Sequence, residues 1–258
     1  MDAVYQLDGM VARPSAHAVG PWHPAMQHGA APAALIALAA ERLAAERPMR
    51  VVRLTIDLLR PVPIAPLAIE TEIIREGRKI QLAAIRLLAE GVEVVRASVL
   101  KIRTAELALP EVVIAEPLDL PGPDDGNEPE DIAGIANPFL TGVSMRVVKG
   151  AIRRAGPAAV WFRAERPIIR DMPITPLMRA AIAADFCNGA STVLDFDAWT
   201  FINGDLTISL ARLPEGEWIL LDAATWLGRD GAGIAFARLG DSKGYFGRAV
   251  QSIVIEPR

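Results

Sequence analysis

The sequence predicts an α+β protein made of two copies of one domain, each a mainly antiparallel sheet with a helix on one face. Three observations carry that expectation. Leu54-Thr55-Ile56 recurs 152 residues later as Leu206-Thr207-Ile208, and Arg60 and Arg96-Ala97 recur at the same distance as Arg212 and Arg248-Ala249. Gly77-Arg78 recurs at a distance of 151, as Gly228-Arg229. A repeat this long is no solenoid period; it is a duplicated domain. Each copy also reads in the same order: a strand, a helix, then a run of strands joined by short turns. That order suits antiparallel pairing with the helix packed on one side.

Taken in order, residues 3–13 read as a first strand, followed by a loop rich in Pro and Gly that holds all three histidines, His17, His23 and His28. Ala and Leu dominate from Pro32 to Glu46, and Pro32 suits a first turn, so a largely buried helix is expected there. Strands follow at about 49–60, 66–75, 79–89 and 92–103, with Gly77 and Gly91 as turn residues. Residues 109–138 carry repeated prolines and many acids without one Lys or Arg, and read as a linker or surface excursion. Residues 139–150 and 157–166 begin the second copy as strands. Thr175-Pro176 forms an N-cap and N1 pair for a helix ending at Gly189. Strands are expected at about 198–212, 217–227, 232–240 and 245–256. The chain thus divides into an N-terminal domain at 1–108, a linker at 109–138 and a C-terminal domain at 139–258.

Bulk properties exclude several classes of function. An apolar fraction of 52% with 22% charged residues fits a soluble globular protein. A net charge of −4 gives no reason to expect nucleic acid or an anionic membrane surface as a partner. The longest uncharged apolar run, residues 29–40, is too short to span a bilayer. No signal peptide is apparent after Met1-Asp2, and the single Cys187 rules out an internal disulfide; both point to the cytoplasm. His23 and His28 stand five apart with no Cys, His or Asp spacing to complete a metal site. No serine nucleophile elbow, P-loop or dinucleotide fingerprint occurs, so no cofactor is expected. Cys187 sits on an apolar helix as a core residue. On the same helix, Asp185 and Asn188 either cap its end or face a central cleft.

Three polar residues stand among apolar neighbours in the strands of the second copy: Asp205, Thr225 and Gln251. Opposite them the first copy carries Arg53, Ile74 and Val99. A polar side chain buried in a strand costs free energy unless it is hydrogen-bonded, so the contrast marks the second copy as the functional one. On residue type alone, Asp205 could instead cap a strand or pair with Arg53, with the other two serving nearby backbone.

The segments FINGDLTISL, GEWILLDAATWLG and GRAVQSIVI, with QHGAAPAAL and LLRPVP in the first copy, resemble the thioesterase-like family related to bacterial type II acyl-CoA thioesterases. The resemblance covers nearly the whole chain apart from 109–138. It implies a double hotdog fold, two tandem antiparallel sheets each wrapping a long helix, and hydrolysis of an acyl-CoA or related thioester. It also implies that Asp205, Thr225 and Gln251 hold the attacking water, and that the chain pairs into a homodimer or larger homo-oligomer. The segment His28-Gly29-Ala30 matches the family's HGG-like approach to the first helix, with Ala30 in place of the second Gly. Backbone amides at that helix start would bind substrate and stabilise an oxyanion, and Gly29 would let a substrate approach the backbone closely.

Two rivals accompany this reading. A non-catalytic acyl-thioester binding protein would keep the cleft without turnover. A hotdog dehydratase or hydratase would place a His and an acid by a central helix; the second helix has no His, and all three lie in the N-terminal loop.

Overall fold

The structure, a computed structural model, describes residues 2–108, 117–129, 137–152 and 154–258. The first strand is a hairpin: β1 (Tyr5–Asp8) and β2 (Val11–Pro14) fold back at Gly9, whose φ of +59° a glycine adopts without strain. Helix α1 (Ala30–Arg42) begins two residues before Pro32 and stops short of Glu46. Every residue from Ala30 to Ala40 is buried, as its Ala and Leu content demands. The strands β3 (Met49–Leu58), β4 (Leu67–Glu76), β5 (Ile80–Ala89) and β6 (Val92–Arg103) complete the first copy.

The second copy repeats this plan with β7 (Val143–Lys149), β8 (Ala158–Ala164), α2 (Pro176–Asp185), α3 (Cys187–Ala190) and five strands. These are β9 (Trp199–Asn203), β10 (Asp205–Leu210), β11 (Ile219–Leu227), β12 (Ala232–Asp241) and β13 (Gly244–Pro257). Two expectations are corrected here. The strand expected at 198–212 breaks at Gly204, so β9 pairs with the far end of β13 while β10 pairs with its middle. The second helix breaks at Phe186, and Gly189 lies inside α3 instead of ending a helix.

The repeat read from the sequence reappears in the ladders. Ile85 pairs with Ala97 and Ala237 with Ala249; Arg86 pairs with Arg96 and Arg238 with Arg248. The two sheets do not stay separate. Among the described residues they join into one 13-stranded sheet, in the order β1-β2-β4-β5-β6-β3-β10-β13-β12-β11-β8-β7, with β9 beside β13. The joint is β3 against β10, where the recurring triplets pair with each other: Leu54 with Ile208, Thr55 with Thr207, Ile56 with Leu206. The Thr55 and Thr207 hydroxyls lie 3.4 Å apart at its centre.

Inside the curl of this sheet, α1 and α2 pack antiparallel, so that each helix starts beside the other's end. Thr175 caps α2 by accepting from the Met178 N–H and donates to Glu41 near the end of α1, at 2.6 Å. Of the expected linker, residues 109–116 and 130–136 lie outside the described residues. Residues 117–129 pack on the second copy's sheet: Leu118 and Leu120 join Trp161, Leu220 and Tyr245, and the Trp161 indole donates to the Pro121 carbonyl. Among the described residues no helix is long and apolar enough to cross a membrane.

Candidate active site

A cavity of about 360 Å³ lies where the start of α1 meets the end of α2. Its rim is exposed and carries Leu59, Arg60 and Val254; its inner end is closed by Met145, Phe162 and Phe186, which are buried. The chemistry-bearing wall between them comes from both copies: His28 and Gly29 from the first, Asp185, Asn188 and Asn203 from the second.

Asp185 ends α2, its side chain 5% exposed, and its carboxylate lies against the α1 start. A Cβ on Gly29 would stand 2.6 Å from Asp185 Oδ1 and 2.9 Å from Oδ2. The group that approaches the Gly29 backbone closely is therefore this carboxylate. Its charge lies at the positive end of the α1 dipole. Asn203 Nδ2 donates to Asp185 Oδ1 at 3.3 Å, and His28 Nδ1 stands 3.2 Å from Oδ2. The imidazole is gripped between the rings of Phe139 and Phe186, at centroid distances of 4.8 and 4.9 Å. His28 Nδ1 also faces the Ala30 N–H, at 3.1 Å. The two neighbours ask for opposite states of one nitrogen, a lone pair for Ala30 and a proton for Asp185. With the Ala30 N–H turned to the imidazole, the Gly29 N–H is the amide at this helix start for which no acceptor exists among the described residues.

Gln251, fully buried, explains the break at Phe186. Its Nε2 donates to the Asp185 carbonyl and its Oε1 accepts from the Asn188 N–H, both at 3.0 Å. One side-chain amide thus stands in for the helical hydrogen bonding that α2 gives up. Asn188 Nδ2 donates to the Phe201 carbonyl at 2.8 Å. Thr225 Oγ1 lies 2.8 Å from Ser191 Oγ, just past α3, and Ser191 in turn donates to the Cys187 carbonyl. Burial and the nearby Asp185 raise the Cys187 thiol far above its ordinary range, which keeps it an inert core group.

The three residues expected to share a water are not brought together. Thr225, Ala235 and Gln251 stand side by side across β11, β12 and β13, facing the helices. Their counterparts in the first copy are Ile73, Ala83 and Val99, so the residue opposite Thr225 is Ile73 and not Ile74; a bulge after Ile73 accounts for the slip. Asp205 faces the other way. Leu206, Ile208 and Leu210 are buried, so strand alternation turns Asp205 to the outer face of β10, where its Oδ1 accepts from the Ser252 N–H at 2.5 Å. None of the three lines the cavity. The same alternation, Trp199-Phe201-Asn203, turns Asn203 inward, and Asp185 proves to be the residue facing the cleft. Of the three histidines, His28 is not remote from the acid, because the antiparallel helices carry it to Asp185.

The family model for the N-terminal domain of acyl-CoA thioesterases matches residues 18–102, and that for their C-terminal domain matches residues 115–255. No curated protein matches the chain in sequence. Among solved structures, a conserved hot dog fold protein from Alicyclobacillus acidocaldarius superposes with a TM-score of 0.76 at 17% identity, over 98% of this chain and 95% of that one. An acyl-CoA thioesterase II from Mycobacterium marinum superposes with a TM-score of 0.69 at 16% identity, again over 98% and 95%. At such identities the likeness shows the fold, a double hotdog.

Proposed function

The chain belongs to the acyl-CoA thioesterase family, so thioester hydrolysis is its class of reaction, and we propose that Asp185 is the carboxylate that drives it. One observation carries this reading: a buried carboxylate from one copy pressed against the helix start of the other, inside an apolar cavity. A water beside Asp185 gives its proton to the carboxylate as its oxygen attacks the thioester carbonyl carbon. The charge that develops on the carbonyl oxygen is met by the Gly29 N–H and the α1 dipole. The C–S bond then breaks, and the thiolate leaves and takes up a proton. Asn203 aims the carboxylate, while Gln251 holds the backbone on either side of it. Thr225 acts one step further back, by pinning Ser191. Asp205 has a structural part in this scheme, as cap of the Ser252 amide.

The acyl carrier (CoA or an acyl carrier protein), a cytoplasmic setting and assembly into a homodimer or larger oligomer belong to the same proposal, the last open to sedimentation analysis. Thiol release from a panel of acyl-CoAs tests the mechanism. Asp185→Asn should lose about 10²–10⁴-fold in turnover, the usual worth of a general base, while Asp205→Asn stays within a few-fold of wild type. The reverse ranking would return the role to Asp205.

His28 beside Asp185 favours one second reading, addition of water to a 2-enoyl thioester with the C–S bond left intact. Loss of the enoyl absorbance without thiol release would establish it. Binding with neither change would leave an acyl-thioester binding protein.

A further inference from the structure

Two buried side-chain amides in the cavity wall are only half used. Asn137 is 6% exposed, and its Oδ1 accepts from the Leu140 N–H at 3.2 Å. The same N–H donates to the Asn137 main-chain carbonyl at 3.0 Å, and an NH₂ turned toward it would set donor against donor, so the oxygen end of the amide belongs there. The Asn137 NH₂ is left without a partner among the described residues while the residue lines the cavity. The turn that carries it is firmly built: Phe139 N–H donates to the Val19 carbonyl, and the Arg166 guanidinium donates to the Pro138 carbonyl. Asn188 is the mirror case. It is also 6% exposed, and its NH₂ is committed to the Phe201 carbonyl, which leaves its amide oxygen open in the same cavity.

Both open atoms can still be reached by solvent from the cavity. A ligand that strips their water without answering them loses free energy, and a site built around them discriminates against such ligands. We propose that the acyl group taken by this site carries an oxygen substituent beyond the thioester carbonyl, which accepts a hydrogen bond from the Asn137 NH₂. A hydroxyl, which accepts and donates, suits the open polar atoms better than a keto oxygen, which only accepts. The carrier arm also has carbonyl oxygens, but it must leave by the exposed rim at Leu59, Arg60 and Val254. Asn137 is buried and shares the wall with Leu140 and Phe186, on the acyl side. The inference rests on the hydrolase reading of this cavity.

The test uses matched saturated, hydroxyacyl and ketoacyl CoA thioesters of equal chain length, with wild type and Asn137→Asp. That substitution keeps an oxygen for the Leu140 N–H and replaces the donor by an acceptor. The expected result is a kcat/KM preference of about ten-fold or more for the hydroxyacyl over the saturated ester in wild type, collapsing toward unity in Asn137→Asp. Equal rates on the three esters in wild type would overturn the inference and leave hydrolysis standing. An equal loss on all three in Asn137→Asp would assign the contact to the carrier arm and overturn it as well. If wild type releases no thiol at all, the hydrolase reading fails. Equilibrium binding of the matched thioether analogues, which cannot be hydrolysed, then decides the inference by the same ratio.

Discussion

Gly29 has no room for a side chain. The Asp185 carboxylate occupies the volume a side chain would need, 2.6 Å from the position of an added Cβ. Gly29→Ala should therefore push the carboxylate off its bond with Asn203 and away from the α1 start. Thiol release should fall at least about ten-fold, with about 1–3 kcal/mol of lost stability, the usual cost of overpacking, read by urea unfolding. Part of the site was legible at this scale. The HGA segment marks the helix start that borders the cavity, and Gln251 the strand face that meets the break at Phe186. The outward turn of Asp205 was legible too, because the buried Leu206, Ile208 and Leu210 alternate with it. Asp185 was not legible in that way. A carboxylate on a helix of Ala and Ile reads equally as a cap or a cleft residue until its partner across the fold is known.

Among the elements, the two helices share one arrangement with two outcomes. Asp185 at the end of α2 meets a glycine at the start of α1 and borders a cavity. Glu41 near the end of α1 meets Thr175 at the start of α2, and its Oε2 is taken up by that hydroxyl. Burial raises the Glu41 carboxyl above its ordinary range, opposed in part by the Thr175 hydrogen bond and the Lys101 charge. An acid raised in this way contributes stability that is complete below its unfolded value and is lost as pH climbs through its folded value. Glu41→Gln should remove that loss. Its urea midpoint should gain on wild type as pH rises from ~4 to 7, and a constant difference across that range would contradict the assignment. The helix boundaries show what sequence patterns miss. Ala-rich text continues past Arg42, and Gly189 looks like a stop, but the actual break at Phe186 is made by Gln251, some sixty residues away in sequence.

For the whole molecule, the duplicated order could be read directly from recurring triplets and glycines, but the register of β4 on β11 could not, because of the bulge after Ile73. That the copies merge into one sheet could not, because edge pairing depends on how two finished domains meet. The β3–β10 joint and the α1–α2 contact both cross between copies. Unfolding in urea should accordingly be one transition, with the fluorescence of the five tryptophans coinciding with far-ultraviolet circular dichroism. Two separated midpoints would show that the copies fold as independent units.

The pairing of Thr55 with Thr207 has a consequence for how the site survives dilution. A strand that pairs with its own repeat about a local two-fold is the geometry by which two identical separate chains would dimerise. Here both partners belong to one polypeptide, so their meeting is unimolecular, with an effective concentration set by the connecting chain. The carboxylate from one copy and the helix start from the other therefore cannot part company at low protein concentration, and the single-copy constraint that both halves do the same job is lifted.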